Sequence, residues 1–290
     1  MTGVAFIDKP QGMTSFVAAN RAKRVLGAKK SGHTGTLDPM ATGVLVVMLG
    51  GATRFIEYLN THDKAYEATV RLGTTTDTLD IEGTVLSRTE THFTAAEFEA
   101  AMLSFLGKID QVPPMYSAIK KDGKKLYELA REGIEIERES RRVNIYSLTM
   151  TAADEAKQEF SFRVACSAGT YVRSLASDIG EKLGGGAVLT SLRRVEAHGV
   201  DISQCKTLDE ISKNDVVSLD TLLNYPCVTV SAPQAQRFSN GGALDRQRIH
   251  TPLSVGIYKV YSPENKFLGL GEIETADSSQ LTIKRIYSGT

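Results

Sequence analysis

The sequence lacks the features of a membrane protein and of a disulfide-stabilised secreted protein. No apolar run approaches the roughly 20 residues that a helix needs to cross a bilayer. The N-terminus has no basic segment followed by an apolar one, as a signal peptide would have. Only three of the 290 residues are cysteines, and none lies in a CxxC pair, which argues against a disulfide framework and a zinc site. We therefore expect a soluble, cytoplasmic protein that does not contact a membrane.

Several catalytic signatures are missing as well. The chain contains no GxxxxGK[ST] loop, no GxGxxG after a strand, no HExxH and no GxSxG. These motifs accompany nucleotide hydrolysis, Rossmann cofactor binding, zinc proteolysis and α/β-hydrolase chemistry, respectively. The sequence therefore gives no support to any of these four classes of enzyme.

The formal net charge of zero, from 34 basic and 34 acidic residues, conceals an uneven distribution. Residues 9–33 carry six basic side chains and no acid, whereas residues 77–100 carry six acids and one arginine. A basic segment of this kind suits a polyanionic partner, although it could equally be a solvated helix face.

Periodicity predicts a mixture of helices and strands. The segment "TSFVAANRAKRVLG" has apolar residues at helical spacing, and "TAAEFEAAMLSFLG" begins with a Thr94–Glu97 capping box. The stretch "KAYEATVRLG" alternates as a half-buried strand does, which turns Tyr66 inward. Residues 108–142 are polar and resemble an insertion in a compact domain, and in "SAGTYVRSLASDIG" we expect Thr170 to cap a helix. Short strands after residue 226 indicate a small β-barrel-like domain.

Asp38 stands out because it is the only acid in "GHTGTLDPMATG". One interpretation is structural, since an Asp-Pro pair commonly caps and starts a helical turn. The other is catalytic: a carboxylate nucleophile held in a glycine-rich loop, with an arginine brought from elsewhere in the chain to keep it ionised. Local sequence alone leaves both interpretations open.

Five blocks, in this order, resemble the TruB family of tRNA pseudouridine synthases. They are "DKPQGMTS", "KKSGHTGTLDPMATGVL", "DKAYEATVRLG", "VPPMYSAIKKDGKKLYELAREG" and "GTYVRSLASDIG". The resemblance covers essentially residues 3–195. The tail resembles, through weaker motifs, the PUA-type RNA-binding domain of that family.

The resemblance implies an α+β protein with the pseudouridine synthase fold, a mixed and largely antiparallel sheet with flanking helices. It implies a catalytic domain over residues 1–225, with a thumb-like RNA-binding insertion at about 108–142. A small PUA-like β-barrel would follow over residues 226–290.

The implied reaction isomerises uridine 55 in the T-loop of tRNA to pseudouridine, after the base has been flipped out of its stack. The N1–C1′ bond breaks, the uracil turns, and C5 bonds to C1′, with no cofactor and no metal. Asp38 matches the catalytic aspartate of the family. It could attack C1′, attack C6 of the uracil, or accept the C2′ proton in a glycal route, and the sequence does not choose among these.

The resemblance assigns roles to further residues. Tyr66 matches the tyrosine that stacks on the target base, and Arg173 matches the arginine that pairs with the catalytic carboxylate. His33 matches the histidine that fills the space left by flipped nucleotides, and Leu192 matches a leucine of the uracil pocket. Further contacts with RNA are implied for Lys9, Tyr171, Lys120 and Lys121.

The implied partner is the T-arm stem-loop of tRNA, bound by a monomer without a guide RNA. Two other hypotheses remain: a non-catalytic RNA-binding or RNA-folding protein, and an RNA-guided relative of the dyskerin type. The chain departs from the family pattern at Ala187-Val188 and in "VEAHGV", positions to which no chemistry is assigned.

Overall fold

The computed structural model describes residues 1–60 and 62–288. Within them the strands, in chain order, are β1 Gly3–Lys9, β2 Ser31–His33, β3 Thr42–Leu49, β4 Lys64–Leu72, β5 Thr74–Thr76, β6 Val85–Arg88, β7 Gly107–Gln111, β8 Lys120–Lys121, β9 Lys124–Lys125, β10 Arg141–Asp154, β11 Glu159–Cys166, β12 Ala187–Ala197, β13 Val200–Asp201, β14 Cys227–Thr229, β15 Leu244–Asp245, β16 Gly256–Tyr261, β17 Phe267–Ile273 and β18 Gln280–Ile286.

The α-helices of the described residues are α1 Ser15–Val25, α2 Ala95–Leu103, α3 Leu126–Arg131, α4 Val172–Leu183 and α5 Ala232–Ser239. The longest of the 3₁₀ segments is Gly50–Tyr58; the others are Ile202–Gln204, Lys213–Asp215, Leu219–Leu222 and Arg246–Arg248.

The principal sheet has nine strands in the order β1-β3-β12-β4-β11-β10-β7, with β2 on β3 and β13 on β12. Its β3–β12 pair is parallel and its other pairs are antiparallel. The predicted mixed, largely antiparallel sheet is therefore confirmed. Gly43 (φ +102°) is required at the parallel pair, because a Cβ there would lie 2.1 Å from the carbonyl oxygen of Arg194.

Three helices pack on this sheet. Helices α2 and α4 pack on one face, where Phe98 of α2 stacks on Phe160 of β11 with ring centroids 4.5 Å apart. Helix α1 packs on β1 and β3 through its alanines. This arrangement buries the apolar stripe of each helix against a strand surface, which is the main source of stability for helices of this length.

Two helix boundaries differ from those predicted. Helix α4 begins at Val172, because the Thr170 hydroxyl donates to the Ser167 carbonyl (2.9 Å) within the preceding turn and does not cap the helix. Helix α2 has the predicted Thr94 capping box but ends at Leu103. The segment "TAAEFEAAMLSFLG" continues past this end, and its Leu106 is 51% exposed.

A second sheet has five strands in the order β14-β16-β17-β18-β15. It has its own apolar core, which includes Phe238 of α5. It also joins the first sheet through an aromatic cluster, in which Phe55 contacts both Phe267 and Tyr287 with centroids 6.1 and 5.8 Å apart. The five-stranded sheet therefore covers apolar surface of the 3₁₀ segment at 50–58.

Candidate functional site

Asp38 lies in the loop between β2 and β3, and no helix follows it. The Asp38 carbonyl accepts from the Ala41 amide (3.1 Å), which closes a single turn before β3 begins. The interpretation of Asp38 as a helix cap is therefore wrong. The loop is fixed to the start of α1 by the buried Ser15 hydroxyl, which donates to the Leu37 carbonyl (3.0 Å) and accepts from the Leu37 amide (2.7 Å).

Arg173, in the first turn of α4, forms an ion pair with Asp38. Its Nε lies 2.9 Å from Oδ2 of Asp38, and its side chain is only 4% exposed whereas that of Asp38 is 34% exposed. The other guanidinium nitrogens donate to the carbonyls of Thr78 and Tyr116, each at 2.8 Å. These three contacts fix the position of Arg173, and the Asp38 carboxylate bound to it remains partly accessible to solvent.

A second acid, Asp80, shares this guanidinium. Its Oδ2 lies 3.7 Å from Nη1 of Arg173, and its side chain is 7% exposed. Burial raises the pKa of Asp38 and Asp80 raises it further, whereas Arg173 opposes both effects. The arginine is therefore the main group that favours an ionised carboxylate in this site, and Lys9 acts in the same direction.

Tyr66 is buried on β4 with its apolar neighbours, as the alternation predicted. Arg194, its partner in the β4–β12 register, places its guanidinium beside the tyrosine hydroxyl. Burial raises the pKa of Tyr66, and the neighbouring positive charge opposes that rise. Arg194 is itself 1% exposed. It donates to the carbonyls of Val44 in β3 and of Gly35 in the Asp38 loop, and it therefore supports that loop.

These groups surround a cavity of about 720 Å³. Asp38, Tyr66, Tyr171, Arg173 and Leu192 line it, so five of the predicted site residues meet at one surface. The remaining wall comes from α1, the start of β4, the turn after β5, and the segment between β7 and β10. It includes Phe16, Lys64, Thr78, Asp80, Glu82, Tyr116, Tyr127 and Arg131. A cavity that combines apolar walls with a carboxylate and its cation is suited to an uncharged planar ring.

The other four predicted residues do not line the cavity. Lys9 is fully buried, and its ammonium donates to the carbonyls of Pro10, Met13 and Pro39. Burial lowers the pKa of Lys9 to about 8.

His33 is half-buried at the end of β2, where burial and Arg194 lower its pKa. Lys120 and Lys121 lie exposed on the β8–β9 hairpin, and Lys121 donates to a backbone carbonyl of the same segment.

Three functional candidates were missed in the sequence: Asp80, Arg194 and Lys64. Each lies outside the turn that carries Asp38, and only the folded chain brings them to it. The regular alternation of "KAYEATVRLG" placed Lys64 on the same face as Tyr66, so that signal was available.

Within the ranges 1–60 and 62–288, no cluster of three or more His, Cys, Asp or Glu side chains could hold a metal ion. No helix there is long and apolar enough to cross a membrane.

The fold places the chain among proteins of the pseudouridine synthase fold. The structure titled "Crystal Structure of a Cbf5-Nop10-Gar1 Complex" aligns with a TM-score of 0.73 over 99% of this chain and 85% of the other, at 24% identity. An H/ACA RNP bound to a substrate RNA containing 2′-deoxyuridine aligns with a TM-score of 0.71 at 22% identity, covering 99% and 85% of the two chains. At these identities the likeness concerns the fold.

Sequence comparison defines the family. Residues 23–172 match the model of the TruB family pseudouridylate synthase N-terminal domain, and residues 226–282 match that of the pseudouridine synthase II TruB C-terminal region. A tRNA pseudouridine synthase B of Azoarcus sp. (strain BH72) is 44% identical over 98% of this chain and 94% of its own length. One of Burkholderia lata is 48% identical over 84% and 78%. The chain belongs to the TruB family and is a pseudouridine synthase, an isomerase, as predicted.

Proposed function

We propose that this enzyme converts uridine 55 in the T-loop of tRNA to pseudouridine. Family membership supports the reaction, and the relatives named tRNA pseudouridine synthase B support tRNA as the substrate. The observation that carries the proposal at this site is the ion pair between Asp38 and the buried Arg173 at the wall of a cavity large enough for a flipped nucleotide.

The proposed chemistry assigns a role to each group in the cavity. The Asp38 carboxylate initiates cleavage of the N1–C1′ bond, by attack on C1′ or C6 or by removal of the C2′ proton. Arg173 keeps that carboxylate ionised. The uracil then rotates between the Tyr66 ring and Leu192, C5 bonds to C1′, and the C5 proton leaves as N1 gains one. Tyr66 lies on the wall where it can assist removal of that proton.

The RNA would approach along surfaces outside the cavity. Lys120 and Lys121 are exposed on a hairpin and can contact phosphates, and Tyr171 lines the cavity at the start of α4. Lys9 donates to the Pro39 carbonyl of the Asp38 loop, and His33 ends the strand that leads into this loop. We propose that both residues support the shape of the loop while RNA is bound. We further propose a PUA-like RNA-binding domain over residues 226–290, a catalytic domain over 1–225 with the insertion at about 108–142, and a cytoplasmic monomer that needs no guide RNA.

The test is release of tritium from a T-arm stem-loop transcript that carries C5-tritiated uridine. The wild type should release it, and Asp38→Asn should not, although the variant should still bind the RNA. Asp154→Asn is the matched control, because Asp154 lies on the distant β10–β11 turn and pairs with Lys157 at the surface.

The alternatives predict different results. A folded wild type that binds the stem-loop but releases no tritium would indicate a non-catalytic RNA-binding protein. Release that requires an added guide RNA would indicate an RNA-guided enzyme. Equal release by the wild type and Asp38→Asn would remove Asp38 from the chemistry.

A further inference from the structure

Phe16 is the most exposed of the large hydrophobic side chains in the described residues, at 71%. It nevertheless lies at the wall of the Asp38 cavity, on the side formed by α1. Isolated exposed apolar residues are common and need no explanation by themselves. An exposed aromatic ring at the mouth of a cavity that receives a nucleotide is a different case, because such rings are the usual platforms for unstacked bases.

The position of Phe16 is fixed by the same contacts that fix Asp38. The adjacent residue, Ser15, is buried and makes two hydrogen bonds with Leu37, which directly precedes Asp38. Thr14 caps the helix, since its side chain accepts from the Val17 amide (3.2 Å). These contacts tie the backbone next to Phe16 to the Asp38 loop and place the residue at the edge of the cavity.

In the described part of the chain, the faces of the Phe16 ring have no stacking partner. No other ring and no cation packs against it, in contrast to Tyr127 on another part of the cavity wall. The ring of Tyr127 is covered by Lys125 Nζ at 5.2 Å and by Arg131 at 5.3 Å. Of these two aromatic residues, Phe16 is the one whose ring is free to stack on an added base.

The helix that carries Phe16 becomes basic toward its C-terminal end, which suits RNA. It contains Arg21, Lys23 and Arg24 and no acid, and of these Arg21 forms an ion pair with Asp209. A phosphate backbone is attracted to such a surface, and base–aromatic stacking beside a basic groove is the usual way in which proteins hold unpaired nucleotides.

We propose that Phe16 is a base-stacking residue, which holds an unpaired nucleobase of the RNA loop at the rim of the cavity while the target uridine enters it. The proposal rests on the proposed function, because it takes a structured RNA loop as the ligand. It adds to that function a binding contact with a base other than the one that reacts. A flipped neighbour held in this way would keep the loop open during the isomerisation.

The test compares Phe16→Ala, Phe16→Leu and Phe16→Trp with the wild type. Binding is measured with T-arm stem-loops in which 2-aminopurine replaces one loop base at a time. Phe16→Ala should weaken binding roughly 5- to 150-fold, the range that corresponds to the loss of one stacked base. Phe16→Trp should bind like the wild type. Val17→Ala is the control, because Val17 is the neighbouring exposed residue of α1 but does not line the cavity.

The fluorescence separates stacking from a general loss of affinity. At one loop position the wild type and Phe16→Trp should change the 2-aminopurine signal, whereas saturating Phe16→Ala should not. Binding by Phe16→Ala within twofold of the wild type would overturn the proposal, and so would full binding by Phe16→Leu, which keeps the apolar volume without the aromatic face. Tritium release by the wild type is measured in parallel. If the wild type releases tritium, a negative stacking result counts against the Phe16 proposal and not against the proposed function.

Discussion

Replacing Arg173 by Met should raise the pKa of Asp38. The guanidinium is the cation in contact with this carboxylate, at 2.9 Å, and it favours the charged form. Its removal also leaves the repulsion between Asp80 and Asp38 without the guanidinium that both acids share, and like charges disfavour ionisation. Both effects act in the same direction, so the carboxyl should hold its proton to a higher pH in the variant.

The magnitude follows from the geometry. A hydrogen bond to a charged group contributes about 1.5 to 3 kcal/mol. Because 34% of the Asp38 side chain is exposed, solvent screens part of this interaction, and we expect the lower half of that range for the pair. The loss of this energy from the charged form alone is what should raise the pKa of Asp38 in the variant.

Two measurements test this prediction. Titration of protein labelled at the aspartate carboxyl carbons reports the pKa directly, with the Asp38 resonance identified by its loss in Asp38→Asn, and it does not require activity. Single-turnover tritium release across a range of about pH 5 to 9 should show the acidic limb displaced to higher pH in the variant, because less of the carboxyl is ionised at any given pH.

Arg193→Met is the matched control. Arg193 is the neighbour of Arg194 on β12 and forms an ion pair with Asp8, at 2.7 Å, outside the cavity lining. This variant should leave the titration of Asp38 unchanged. An Asp38 pKa in Arg173→Met equal to or below that of the wild type, or an equal change in both variants, would refute the electrostatic argument.

Three further predictions concern stability and RNA affinity. Ser15→Ala should lower the free energy of unfolding by about 1 to 3 kcal/mol in urea titration, because the buried Leu37 amide loses its acceptor; an unchanged midpoint would contradict this. Phe98→Ala should cost about 3 to 5 kcal/mol by the same measurement, since it leaves a cavity where two rings now stack. Glutamines in place of both lysines at 120–121 should reduce the slope of log affinity against log salt by about 1 to 2, and an identical slope would mean that these lysines do not contact phosphate.

The sequence predicted those parts of the fold and site that depend on local periodicity. Alternation in β4 was sufficient to turn Tyr66 toward the interior, and the helical spacing in α1 was sufficient to bury its alanines. The Asp38–Arg173 pair was inferred from ordered motifs, since its members are far apart in the chain. The predicted cap at Thr170 was wrong because the hydroxyl has a competing acceptor in the preceding turn, the Ser167 carbonyl.

The residues that were missed depend on pairings between distant elements. The second arginine of "LRR" resembles a surface cation, yet the register of β12 on β4 places it opposite Tyr66 and buries it completely. Lys9 was not missed, but it was expected to contact RNA. Its ammonium is instead enclosed by three carbonyls, one of them from Pro39 in the Asp38 loop. Strand register and loop closure of this kind have no signature in a single sequence.

The position of Arg173 explains why no short motif could have revealed the complete site. One buried guanidinium bonds to Asp38 from the β2–β3 loop, to Thr78 from the turn after β5, and to Tyr116 from the segment between β7 and β10. A lysine could supply the charge, but it lacks the planar guanidinium whose fixed donors bond to all three segments at once. The carboxylate therefore acquires its partner only when α4 has docked against all three segments, so that ionisation of Asp38 in this cavity is a property of the assembled fold.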